Sequence, residues 1–222
     1  MSISKMVANL IAVGTIASLS VQNPVQAQTT FPDVKPDYWA APFIQPLVDR
    51  GIIRGFQDGN FRPNDPVTRA QFAVMVGKAF DRPTVRNAIR FTDVPTNYWA
   101  ASDIQTAYRE GFFSGYPGNI FKPAQSIPRG QMFQALSSGL KLDYTGSFLS
   151  IVGAFKDYES IEDSVTDGVT AAVWRRIAVN YPDPMALNPN RSATRAEVAA
   201  SIYQALVYTG KAPKVESPYL RY

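Results

Sequence analysis

The sequence predicts a mainly α protein built from three helix–loop–helix repeats. Three observations carry that expectation. Residues 31–71 overlay residues 91–131 at an offset of 60 without a gap, and 15 of the 41 aligned positions are identical, far beyond chance. Thr68, followed three residues later by Gln71, forms a capping box ahead of the apolar run Phe72, Val74, Met75, Val76, Ala79 and Phe80, which is expected to supply the buried face of a helix. An arginine, Arg69, is then the first helical residue, and the feature returns as Pro128-Arg129-Gly130-Gln131 and Thr194-Arg195-Ala196-Glu197. A cation is disfavoured at a helix N-terminus, where the macrodipole is positive, so something negative is expected at all three.

Taken in order, the chain opens with Lys5, an apolar stretch from Met6 to Val21 and the small-residue site Val25-Gln26-Ala27. This is the pattern of an export signal cut after Ala27. The apolar stretch is 16 residues, interrupted by Asn9, Thr15, Ser18 and Ser20, where a membrane span takes about 20. No transmembrane segment is expected after cleavage.

Repeat one is placed at 31–80. Asp37 is expected to cap a first helix with apolar positions Phe43, Ile44, Leu47 and Val48, although Pro46 lies inside it. Gly51 is expected to end that helix in a left-handed cap. A turn-rich loop over 55–61 and Pro66 lead to the second helix. Repeat two, at 91–140, follows the same plan with Gly111 at the helix end. It exchanges the capping threonine for Pro128, which removes a cap contributing about 1 kcal/mol. Repeat three, at 151–209, is divergent: Phe155-Lys156-Asp157 and Leu187-Asn188-Pro189 match, but the tryptophan, both glycines and the Asp-Gly turn are missing. Residues 210–222 form a tail. One such unit cannot bury its own apolar face, so the three are expected to pack together.

Composition narrows the chemistry. With no histidine and no cysteine, histidine-based nucleophilic triads, zinc sites on nitrogen or sulfur, and disulfides are excluded. The net charge of +4 is scattered without a basic run, which argues against nucleic acid. No cofactor or metal is expected. Two-carboxylate glycan hydrolysis needs no histidine, and Asp157, Glu159, Glu162, Asp163 and Asp167 lie close together in sequence, but such a cluster reads first as a solvated acidic face. The chain is expected not to be an enzyme.

The ordered set Phe31-x-Asp33-Val34, Trp39-Ala40, Gly51-Ile52-Ile53-x-Gly55, Asp58-Gly59-x-Phe61-x-Pro63 and Thr68-Arg69-Ala70-Gln71 resembles an S-layer homology domain. The resemblance implies a pseudo-three-fold helical bundle with grooves between repeats. It also implies an exported, non-catalytic module of the cell wall, periplasm or cell surface. Such a module holds non-covalently to peptidoglycan-linked secondary polysaccharide carrying acidic, pyruvylated sugars. A protein–protein module of the envelope is the alternative, with an envelope protein as partner. Matching residues to the family motif puts Arg69, Arg129 and Arg195, with Trp39, Trp99, Gly51 and Gly111, in the ligand-binding set. Arg69, Arg129 and Arg195 are also candidates for simple pairing with Asp33, Asp93 and Asp157 of their own repeats, and Trp39 and Trp99 for the core. Divergence of the third repeat points to one or two working grooves.

Overall fold

The computed structural model describes residues 31–220; the expected export signal lies outside them. Seven α-helices are described there: α1 (Ala41–Asp49), α2 (Arg69–Ala79), α3 (Ala101–Arg109), α4 (Arg129–Leu140), α5 (Phe148–Val152), α6 (Thr166–Trp174) and α7 (Arg195–Tyr208). Among these residues extended pairing is confined to isolated bridges, so the protein is mainly α as expected.

The helix starts follow the local chemistry. Thr68 and Thr194 each accept the N–H of the third helical residue, and Gln71 and Glu197 reach back to the cap N–H, which closes both capping boxes. Helix α1 departs from expectation. Its cap is Ala40, which makes no side-chain bond, so Asp37 is not the cap. Pro46 remains inside α1, where it removes only one internal hydrogen bond from a nine-residue helix. Helix α5, which the sequence pattern did not announce, is nucleated by a reciprocal Ser147–Ser150 capping box.

Helix ends follow one rule in all three repeats. Gly51 (φ +67) and Gly111 (φ +90) sit in the left-handed region. The Gly51 and Ile52 N–H groups reach back to Val48 and Leu47, and Gly111 and Phe112 do the same to Tyr108 and Ala107. These are Schellman closures. Repeat three makes the same closure through Arg176 (φ +58), whose N–H bonds to Val173 while the Ile177 N–H bonds to Ala172. The glycine is missing from repeat three, but its backbone conformation is kept.

Packing runs between repeats. Helix α3 lies on α2, α6 on α4, and α1 on α7, so the first helix of each repeat covers the second helix of the one before. The circuit therefore closes from repeat three back to repeat one. At its centre the Val67 N–H donates to the Ala193 carbonyl, Ala193 to Ile127, and Ile127 to Val67, at 2.8–3.0 Å. All three residues are fully buried. The core around them is aromatic: Phe43, Phe61, Phe72, Phe80, Phe91, Phe112, Phe121 and Phe133 are almost wholly enclosed. Gly55 is required here, because a Cβ would lie 2.3 Å from the Phe31 ring.

An L-residue in the left-handed region is strained by about 1 kcal/mol. Arg176→Gly is therefore expected to stabilise the chain by about that amount and Gly51→Ala to destabilise it similarly, both read from urea denaturation midpoints.

Candidate functional site

The three motif arginines are buried: Arg69 is 5% exposed, Arg129 1% and Arg195 6%. Each sends its Nε across a repeat boundary to a backbone carbonyl. Arg69 reaches Phe121 at 2.8 Å, Arg129 reaches Leu187 at 2.7 Å, and Arg195 reaches Phe61 at 2.8 Å. The same three receiving residues are gripped from the other side. Asp33 accepts the Phe61 and Arg62 N–H groups, Asp93 those of Phe121 and Lys122, and Asp157 those of Leu187 and Asn188. The expected pairing of arginine with aspartate inside a repeat is thus replaced. Aspartate clamps its own loop, and the preceding repeat's arginine clamps that loop's carbonyl. The clamp also holds Arg62, Lys122 and Asn188 at positive φ.

The negative partner expected at each helix N-terminus is likewise protein. The N–H groups of Arg69 and Ala70 donate to Gln125 and Pro123, those of Arg129 and Gly130 to Arg191 and Pro189, and those of Arg195 and Ala196 to Asp65 and Pro63. These donors are consumed by the neighbouring repeat, so they are not available to an external anion. Gly130 explains itself in the same way: a Cβ there would come within 3.2 Å of the Pro189 carbonyl.

Arg129 has a further partner. Its Nη2 donates to Asn180 Oδ1 and to the Val179 carbonyl, and its Nη1 lies 3.1 Å from Glu197 Oε1, an ion pair without hydrogen-bond alignment. Burial depresses the Arg129 pKa, and Glu197 opposes that. For Glu197, burial pushes upward, but Arg129, the Arg191 hydrogen bond and the Thr194 N–H together outweigh it and hold the carboxyl below its usual range.

Each repeat boundary brings together the loop after a first helix, a tryptophan-position residue from the next repeat and an arginine from the preceding one, and at two of the three boundaries the space between them is an open groove. The groove on repeat one has a cavity of about 290 Å³ lined by Ile53, Phe56, Met75, Arg54, Lys78, Trp99 and Arg195. Trp99 is 62% exposed there. Arg54 and Lys78 are also exposed. Arg195 lies over the Phe56 and Phe61 rings at 4.7 and 4.5 Å. The groove on repeat two holds Arg69, which also bonds Gln131 and packs against Phe113, Tyr116 and Phe121. Gln131 is free for this because Pro128 has no N–H to receive it.

At the third boundary the chain's own tail packs in the corresponding position. Trp39 stacks on Tyr181 at 4.8 Å, with Tyr219 edge-on at 6.0 Å. The Asn180 N–H donates to the Tyr219 carbonyl, and Val179 bridges Leu220. Trp39 and Trp99 are equivalent in sequence but not in surroundings: the first is half-buried under the tail, the second open. Gly51 faces open space, while Gly111 is covered by Val85, and at both the positive φ accounts for glycine. The sequence pattern singled out Trp99, Arg69 and Arg195 but missed Arg54, Lys78 and the tail's Tyr219. The acidic residues of repeat three do not form a metal-binding group among the described residues, and Asp157 is committed to its clamp.

Comparison with known proteins comes in two parts. The S-layer homology domain model matches residues 30–73, 90–133 and 154–199. An amylopullulanase of Thermoanaerobacterium thermosulfurigenes is 33% identical over 82% of this chain and 10% of its own length. The S-layer protein sap of Bacillus anthracis is 30% identical over 97% of this chain and 26% of its own, and a cellulosome-anchoring protein of Acetivibrio thermocellus is 29% identical over 63% and 32%. The chain thus spans between a tenth and a third of the length of these relatives.

Two outcomes follow from the geometry. A carboxyl depressed on folding contributes stability above its unfolded value and loses it as pH falls through the folded value. Stability should therefore decline below about pH 4.5, the unfolded value for Glu197. Glu197→Gln should flatten that decline while lowering stability at neutral pH by about 3 kcal/mol, because Arg129 is left buried without its counter-charge; denaturation across a pH series measures both. Tyr219→Ala should uncover Trp39, raising its fluorescence quenching by acrylamide with little change in the fold.

Proposed function

Because the chain belongs to the S-layer homology family, we propose that it is a non-catalytic cell-surface anchoring module that binds acidic, pyruvylated polysaccharide linked to peptidoglycan. In this reading the repeats form a pseudo-three-fold bundle whose inter-repeat grooves are the binding surface, and the chain works at the cell wall after export. The names of its relatives, an S-layer protein and a cellulosome-anchoring protein, support a surface-anchoring role.

One observation carries the choice of ligand. The groove on repeat one joins an exposed indole, Trp99, to Arg54, Lys78 and Arg195 with no acidic side chain in its lining. An exposed indole offers a sugar ring an apolar face to stack on, and cations in a groove with no acidic side chain in its lining suit a carboxylate on that sugar. Arg195 acts mainly by building the groove wall, and the exposed Arg54 and Lys78 supply the accessible charge. Arg69 lines the separate groove on repeat two, and Gly51 closes the helix that leads into the repeat-one loop. Arg129, Trp39 and Gly111 support the binding surface from covered positions.

The test is co-sedimentation with purified sacculi, intact or stripped of attached polysaccharide by mild acid. Pelleting is expected with intact sacculi alone. Lys78→Ala with Trp99→Ala, both exposed and outside the clamps, should reduce it at least tenfold while leaving thermal unfolding unchanged. Equal pelleting of that variant would overturn the groove assignment. Equal pelleting with stripped sacculi would overturn the choice of polysaccharide.

A further inference from the structure

The grooves on repeats one and two are built from equivalent positions, but their chemistry differs at nearly every accessible one. At the offset of 60, Arg54 becomes Ser114, Val74 becomes Gln134 and Lys78 becomes Ser138. Trp99 stands two residues before α3, and the residue two before α6 is Ser164, which lines the second groove. Phe56 likewise becomes Tyr116. The second groove has therefore lost its exposed indole and two cations and gained an amide and four hydroxyls.

It has also gained length. Gln134 and Ser138 line both this groove, of about 250 Å³, and an adjoining cavity of about 430 Å³ that continues past Ser137, Lys141, Asp143, Tyr144 and Asp167. The two cavities meet at Gln134 and Ser138 of α4, and together they are called the trough below. Its charges balance, with Arg69 and Lys141 against Asp143 and Asp167. Three of the four are also partnered: Arg69 donates to Gln131, Arg175 holds Asp143, and the Tyr144 hydroxyl donates to Asp167 at 3.0 Å.

Within these walls Gln134 donates to Ser138 and accepts the Gly168 N–H, and the Gln131 oxygen accepts from Arg69 and Tyr116. The second N–H of Gln134, the Gln131 NH2 and the hydroxyls of Ser114, Ser138 and Ser164 are left to meet sugar hydroxyls and amides, with no net charge among the lining residues to attract an anion. We propose that the repeat-two trough binds an uncharged stretch of glycan, several sugars long, while the repeat-one groove takes an acidic sugar. This rests on the groove-binding function above and divides it between two sites of different specificity.

Side-chain NMR signals of the 15N-labelled chain separate the two sites, using chitotetraose as the neutral probe and a hyaluronan tetrasaccharide as the acidic one. Chitotetraose is expected to shift the Gln131 and Gln134 amide signals with little dependence on salt and to leave the Trp99 indole unmoved. Gln134→Leu should weaken its binding at least fivefold. The hyaluronan fragment is expected to shift the Trp99 indole alone. Ser114→Arg with Ser138→Lys, at two exposed positions, should bring it into the second trough as well. Chitotetraose that moves neither glutamine, or a hyaluronan fragment that shifts both sites of the unaltered chain equally, would overturn the division. A Trp99 indole unmoved by the hyaluronan fragment would instead count against the acidic-sugar reading of groove one, whatever chitotetraose does at the trough.

Discussion

The structure depends on a closed ring of backbone hydrogen bonds through Val67, Ile127 and Ala193. Each residue donates to one repeat and accepts from the other, so no repeat completes its polar pairing without both partners. Around this ring sit the arginine–aspartate clamps, and they solve a desolvation problem. A buried guanidinium is costly unless its donors are met. Here the partners are mostly carbonyls fixed by loops that an aspartate holds from the opposite side. That arrangement explains why a cation is tolerated in the first turn of three helices. The helix-dipole penalty is offset by a carbonyl of the next repeat, and the N–H donors that would have drawn an anion point at other carbonyls of the same loop.

Much of the fold was legible because it is local. The Thr68–Gln71 capping box, the glycine helix ends and the apolar run of α2 are set by residues within one or two turns of each other. The failures share a cause. Asp37 looked like a cap because an aspartate precedes α1, but the tight turns from Lys35 to Ala41 already shape that entry. Arg176 could not be recognised as the third left-handed cap, since propensity favours glycine there and closure by the same two hydrogen bonds overrides it. The direction of the clamps was hidden because nothing in a repeating sequence says whether an arginine serves its own copy or the next.

The candidate site was partly legible for the same reason. Trp39 and Trp99 occupy identical motif positions, so sequence gives them one role, and only a neighbour distant in the chain distinguishes them. The tail that covers Trp39 has no apolar period. It is recruited by single contacts: Tyr219 against the indole, the Tyr203 hydroxyl on the Pro213 carbonyl, and Arg50 on the Lys211 carbonyl. Duplication has thus yielded three frames of one geometry with three different fillings.

The ring also constrains the order of events in making the protein. In an open stack of repeats, each unit leans only on its neighbours, and folding spreads from any point. Here the first bond of the ring joins Val67 to Ala193, and Arg129 finds its carbonyl, amide and carboxylate partners only between Val179 and Glu197. A nascent chain ending after repeat two would hold an arginine destined for burial with nothing to receive it. Native pairing across such sequence distance is slow to form because a long loop must be ordered first. Synthesis of the final repeat therefore supplies the last bonds of the ring and every hydrogen-bond partner of the Arg129 guanidinium, and it is the step that commits the chain to its folded form.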